Sequence, residues 1–132
     1  MRHPKLVAWE KKLKQILDKI DIYLEDTYGR KYTLHPSRSK RGTTANKSHD
    51  GLFSIGASFT AGYGSEYGRG YVVDVDMVTL ENVPESVRKR IDEDVIKMLK
   101  RELPTAFPGK NLKIHKDGNV IKVHGDLSLG TL

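Results

Sequence analysis

A stretch of 23 residues, from Thr27 to His49, contains six basic side chains and no acidic one. The basic residues are Arg30, Lys31, Arg38, Lys40, Arg41 and Lys47. The chain of 132 residues carries 23 Lys and Arg against 17 Asp and Glu, so 17 basic and 17 acidic residues remain outside the stretch. The net charge of +6 therefore belongs to this one segment. A local positive potential of this kind attracts phosphates and other anions.

The most polar part of this stretch, residues 36–50, predicts an exposed loop. It is rich in Ser, Thr, Asn and Gly, which favour loops over helices and strands. Arg38, Lys40 and Arg41 lie close together within it. Guanidinium and ammonium groups on a surface loop can donate hydrogen bonds to the phosphates of a small molecule or of a nucleic acid. These three residues are therefore candidates for binding an anionic ligand.

A second group of basic side chains is predicted near the C-terminus. Two runs of alternating polarity flank Asp117 and Gly118, a dipeptide typical of a hairpin turn. The polar face of this hairpin carries Lys113, His115, Lys122 and His124. With Asp117 and Gly118 as a two-residue turn, Lys113 would lie directly opposite Lys122. Like charges so placed repel each other unless an anion lies between them, which makes both lysines candidates for ligand binding.

A glycine-rich segment, residues 62–70, is the third candidate. Its glycines resemble those of phosphate-binding loops only in number, because this segment joins two predicted strands and leads into no helix N-terminus. It also contains Tyr63, Tyr67 and Arg69. Aromatic rings beside a guanidinium group can stack on a planar ligand. We therefore expect these three side chains to cover the apolar or planar part of a bound anion.

Two acidic residues support a different chemistry. Asp74 and Asp76 alternate on a predicted strand, which places their carboxylates on one face about 7 Å apart. A divalent metal can bind such a pair if His115 or His124 supplies a further ligand, and the site would then support a phosphoryl or phosphodiester reaction. Alternate acids also commonly protect an exposed strand from pairing with other chains. The metal-dependent enzyme is therefore the alternative function, while the preferred function requires no cofactor.

The elements that must position these residues follow from hydrophobic periodicity. Helical spacing of apolar residues predicts two amphipathic helices, and alternation predicts two hairpins. In chain order these are a helix over 4–28, a hairpin over 53–78, a helix over 82–103, a hairpin over 112–124 and a tail over 125–132. Two one-sided helices require a sheet face to cover. We predict a single α+β domain over 1–132, with a four-stranded antiparallel sheet and both helices on one face.

Composition excludes several classes of protein. The chain has no cysteine, which excludes disulfides, thiolate zinc sites and cysteine nucleophiles. No apolar run approaches the roughly 18 residues of a membrane span, and charged residues interrupt the region where a signal peptide would be apolar. We therefore expect a soluble, cytoplasmic protein with no membrane partner.

Three functions remain open at this point. The preferred one is a small non-catalytic binding protein for a phosphate- or carboxylate-bearing ligand, nucleic acid included, with its site at a homodimer interface. The second is the metal-dependent enzyme. The third is a structural protein that forms a homo-oligomer or another assembly through a sheet edge and the tail. No motif identifies a known family.

Overall fold

The computed structural model describes residues 4–42, 50–60, 70–109, 111–117 and 120–125. Two helices and four strands follow one another along the chain. They are α1 (Pro4–Tyr28), β1 (Phe53–Thr60), β2 (Gly70–Met77), α2 (Glu85–Ala106), β3 (Leu112–Asp117) and β4 (Val120–Gly125). The strands form one antiparallel sheet in the order β1-β2-β4-β3. The predicted α+β class and the four-stranded antiparallel sheet are confirmed.

Both helices form because their apolar residues recur at helical spacing along one side. From α1, the core receives Trp9, Leu13, Ile16, Leu17, Ile20, Leu24 and Tyr28. From α2, it receives Ile91, Val95, Leu99 and Leu103. These side chains join one face of the sheet, represented by Phe53, Ile55, Tyr71, Val73, Ile114, Ile121 and Val123, in a single hydrophobic cluster. We call this the inner face of the sheet, and the opposite one the outer face.

The second helix has the predicted length of 22 residues, but it begins and ends three positions later than its sequence predicts. We expect α2 to end at Leu103, since proline rarely continues a helix, but it runs to Ala106 with Pro104 inside its last turn. The N–H of Phe107 still donates to the carbonyl oxygen of Leu103, at 2.8 Å. Proline so near the C-terminus removes one hydrogen bond of the last turn and leaves the rest of the helix intact.

A polar contact links the end of α1 to α2. The hydroxyl of Tyr28, at the end of α1, donates a hydrogen bond of 2.8 Å to the carboxylate of Asp94 on α2. Burial and this carboxylate raise the pKa of Tyr28 to about 12, so the phenol stays protonated at physiological pH. In the part of the chain that the structure describes, no helix has both the length and the apolar character needed to cross a membrane.

Candidate functional site

Four basic side chains occupy neighbouring positions on the outer face of β3 and β4. Lys113 lies opposite His124, and His115 lies opposite Lys122. We call these four residues the basic cluster. The prediction that Lys113 faces Lys122 directly is wrong, because the strands pair from Asp117 and Val120 and are joined by residues 118–119. The register differs by two positions, so every side chain keeps its predicted face.

The basic cluster is more enclosed than a solvated sheet face. Lys122 is 1% exposed and His124 is 9% exposed, and both belong to β4, which lies between β2 and β3 in the sheet. The rings of His115 and His124 stack with their centroids 4.9 Å apart. Burial lowers the pKa of His124, and the positive charges of His115, Lys122 and Lys113 lower it further. The cluster thus brings four basic side chains together, two of them shielded from water.

A groove of about 360 Å³ adjoins the basic cluster at the edge of β3. Its described lining combines three basic and four apolar residues, and includes no acid. These residues are Lys100, Leu103, Pro104, Leu112, Lys113, Ile114 and His115. The groove lies between the end of α2 and β3, so Lys100 approaches it from the helix while Lys113 and His115 approach it from the strand. Such a lining suits a ligand with an anionic end and an apolar body.

The predicted exposed loop over residues 36–50, which we call the basic loop, has its two arginines partly buried where the structure describes it. The side chain of Arg38 is partly buried and donates hydrogen bonds to three backbone carbonyl oxygens. These belong to Gly51 at 3.0 Å, Asp50 at 3.2 Å and Phe53 at 3.0 Å. Its guanidinium therefore fixes the chain where it enters β1, which is a structural role that the sequence pattern does not predict.

Arg41 is partly buried as well, and it lies between two buried acids. Its guanidinium is 2.5 Å from the carboxylate of Asp21 on α1 and 3.4 Å from that of Asp50. Both aspartates are 1% exposed, and the N–H of Gly42 donates to Asp50 at 3.2 Å. We call Asp21, Arg41 and Asp50 the Arg41 ion cluster. It attaches the loop to α1.

One feature of the sequence indicates the Arg41 ion cluster, although it matches no known motif. Asp21 follows Leu17 by four positions and precedes Leu24 by three, so it falls on the apolar stripe of α1. A carboxylate on such a stripe requires a cation or hydrogen-bond donors to offset its loss of water. The partner cannot be read from the pattern, because Arg41 lies 20 positions away in a loop.

Asp21 makes stability depend on pH. Burial is the main cause of its raised pKa, and the attraction of Arg41 only partly offsets it, so the pKa is about 6 in place of 3.8. Between these values the folded state binds more protons than the unfolded state, so the contribution of Asp21 to stability falls as pH rises from about 4 to 6. His124, with its lowered pKa, contributes in the opposite direction.

We therefore expect Asp21→Asn to remove a pH-dependent contribution to the free energy of unfolding that the wild type shows. The free energy of unfolding, measured in urea at pH 4, 5, 6 and 7, should decline less across this range in the variant than in the wild type. The difference between the two proteins isolates Asp21 from His124. A variant with an unchanged pH profile would contradict the raised pKa.

The two groups of predicted anion-binding residues do not come together. Arg41 contacts α1, which packs on the inner face, whereas Lys113 and Lys122 lie on the outer face. Lys40 is exposed beside Arg41 and belongs to the first group. The sheet therefore separates Arg41 from the basic cluster. The third predicted group, Tyr63, Tyr67 and Arg69, lies outside the described residues, and so does most of the tail.

The four predicted metal ligands are also divided. Asp74 and Asp76 are exposed on β2, opposite Gly56 and Ser54 of β1. His124 is opposite Gly70, which places Asp74 four residues, or about 13 Å, further along the sheet. Within the described ranges, no group of three His, Asp or Glu side chains is arranged to hold a metal ion.

Comparison with known proteins places the chain among relatives. A family model described as "Uncharacterised protein" matches residues 4–125. A protein of Borreliella burgdorferi, described as "Uncharacterized protein", is 40% identical over 125 residues, which cover 95% of this chain and 98% of the relative. No solved structure matches the chain. The match extends over both helices and all four strands, and the chain belongs to this family.

Proposed function

We propose that this protein binds a small anion that carries a phosphate or carboxylate group on an apolar or planar body. The observation that supports it is the basic cluster, together with the groove beside it. Lys113 and His115 belong to both. Anionic oxygens accept charge-assisted hydrogen bonds from basic side chains, which this cluster brings together on neighbouring strand positions.

The roles of the lining residues follow from their chemistry. The ammonium groups of Lys100 and Lys113 and the imidazole of His115 can donate hydrogen bonds to anionic oxygens. Leu103 and Leu112 offer apolar surface to the rest of the ligand. The groove's volume of about 360 Å³ lies at the lower end of the range for small-molecule sites. The ligand we propose is therefore compact.

A small ligand suits the observations better than a nucleic acid does. Binding to a nucleic acid requires a row of accessible cations along the phosphate backbone. Arg38 and Arg41 are engaged with protein groups, and Lys122 is buried. Binding is also preferred over catalysis by a metal, because Asp74 lies about 13 Å along the sheet from the position of His124. A chain without cysteine suits a reducing compartment, and we propose the cytoplasm.

Titration with phenyl phosphate and inorganic phosphate tests this function. Calorimetry should show that phenyl phosphate binds more tightly than inorganic phosphate, and the amide signals of β3 and β4 should shift in NMR spectra. Lys113→Ala should weaken the binding of phenyl phosphate about tenfold, since one charge-assisted hydrogen bond contributes about 1.5–3 kcal/mol. Added salt should weaken it as well.

Lys116→Ala is the matched control on the same strand. Lys116 has the opposite orientation and forms an ion pair of 3.1 Å with Asp92 of α2, so its loss should leave the affinity for phenyl phosphate nearly unchanged. Equal losses in the two variants would show that net charge, not the site, determines binding. Binding of a single-stranded oligonucleotide without binding of phenyl phosphate would overturn the proposal in favour of a nucleic-acid partner.

A further inference from the structure

Two of the four side chains in the basic cluster are imidazoles, and they lie side by side on neighbouring strands. His115 on β3 and His124 on β4 stack with their ring centroids 4.9 Å apart. His115 is exposed and lines the groove beside β3, whereas His124 is 9% exposed. Imidazole is the side chain that ordinarily gains or loses a proton between pH 5 and 8. The candidate anion site therefore contains two groups whose charge can change near neutral pH.

In the described part of the sheet, the charges nearest His124 are positive. Lys113 lies directly opposite it on β3, and Lys122 is two positions away on its own strand, with its side chain on the same face. On the other side, β2 places the uncharged Gly70 opposite His124. The first acid along β2 from that point is Asp74, about 13 Å away. The described strands therefore place lysines, and no carboxylate, next to His124.

The neighbours of His115 are basic as well. Lys122 lies opposite it on β4, Lys113 is two positions away on β3, and Lys100 of α2 shares the groove lining with it. Burial is the main cause that lowers the pKa of His124, and the positive charges of the rest of the cluster lower it further. The protein by itself thus favours the neutral form of His124.

A bound anion would change this balance. Negative charge beside the cluster favours the protonated form of both imidazoles, because an opposite charge nearby stabilises a cation. A protonated imidazole also donates hydrogen bonds from both ring nitrogens, whereas a neutral one donates from only one. The coupling is reciprocal, so a ligand that favours protonation binds more tightly, by the same factor, when the imidazoles are protonated.

We infer that anion binding at the basic cluster is coupled to protonation of the His115–His124 pair, so that the site binds its ligand more tightly in acid and releases it as pH rises. This coupling rests on the proposed function and adds regulation by pH to it. The two imidazoles act as proton acceptors, while Lys100 and Lys113 supply the hydrogen bonds to the anion at both ends of the pH range.

Calorimetric titration with phenyl sulfate at pH 5 and pH 8 tests the coupling. This ligand carries one negative charge throughout the range, whereas a phosphate monoester changes its own charge near pH 6. The wild type should bind phenyl sulfate about tenfold more tightly at pH 5, within the usual range of coupling between two sites. At pH 6, the binding enthalpies measured in MES and in Bis-Tris should differ in the direction of proton uptake by the protein.

Histidine variants distinguish the pair from the rest of the chain. His115→Gln, at an exposed position, should reduce the difference in affinity between pH 5 and pH 8, and adding His124→Gln should remove it. His35→Gln is the matched control and should keep the full difference. The N–H of His35 donates to Val78, just beyond the end of β2 that is remote from the cluster. Every variant retains Asp21, so the comparison removes the contribution of that acid.

Proton NMR follows the same coupling in the unaltered chain. The imidazole signals, titrated with and without phenyl sulfate, should show that the ligand raises the pKa of His124. Equal affinity at pH 5 and pH 8, or a pH dependence that survives replacement of both histidines, would overturn the inference while leaving the anion site in place. A failure of both phenyl sulfate and phenyl phosphate to bind at either pH would instead refute the proposed function.

Discussion

Replacing Trp9 by alanine should lower the free energy of unfolding by about 3–5 kcal/mol, the cost of removing a large buried aromatic side chain. The indole of Trp9 stacks on Tyr71 of β2, with centroids 4.7 Å apart, and on Phe107 just after α2, at 4.5 Å. It therefore connects the first helix, the sheet and the end of the second helix. Its removal would leave a cavity that three separate elements would have to close.

Urea denaturation followed by far-ultraviolet circular dichroism measures this loss, since the variant lacks the only tryptophan of the chain. Tyr23→Ala, on the same helix but exposed, is the control and should cost well under half as much. A loss for Trp9→Ala as small as that of the control would show that the stacked rings contribute little to the core.

Replacing Arg41 by methionine should destabilise the protein by about 3 kcal/mol at neutral pH, because it removes the cation that lies between two buried carboxylates. Asp21 and Asp50 are nearly inaccessible to water, so solvent cannot replace the guanidinium. The loss should be smaller near pH 4, since protonation of Asp21, whose pKa is already about 6, removes the charge that needs a partner. Urea denaturation at both pH values measures the difference.

Two further variants distinguish this explanation from a general loss of positive charge. Arg30→Met removes an exposed cation from the same acid-free stretch and should change stability little. Adding Asp21→Asn to Arg41→Met should restore part of the lost stability, because the variants act on one ion cluster and their effects are not additive. Simple additivity in this pair would contradict the proposed role of Arg41.

The sequence alone predicts the elements and the orientation of their side chains. Helical periodicity identifies α1 and α2, and alternation identifies the strands and their faces, because both patterns depend on the local geometry of the backbone. The assignment of Lys113 and Lys122 to the outer face holds although the register between them is wrong by two positions. An even displacement changes the partners of a strand residue but not its face.

The contacts of the candidate residues are harder to predict from the sequence than the elements that carry them. Arg38 and Arg41 resemble anion ligands in sequence, since the stretch around them contains no acid, yet Arg41 pairs with Asp21 of α1 and with Asp50 just beyond the stretch. An absence of acids nearby in the chain does not imply an absence of acids nearby in space. The position of Asp21 on the apolar stripe of α1 is the one sign in the nearby sequence that a buried acid needs a partner.

The α+β class, the amphipathic faces and the two groups of basic side chains can be read from the sequence, because each depends on residue types at short spacing. The tertiary structure alone decided that these groups lie on opposite sides of the sheet, that β4 occupies an inner position and that Asp74 is remote from His124. Strand order and loop docking depend on long-range packing between segments, and no short-range period records that packing. The basic cluster is therefore a candidate site separate from Arg38 and Arg41, which make structural contacts with the start of β1 and with α1.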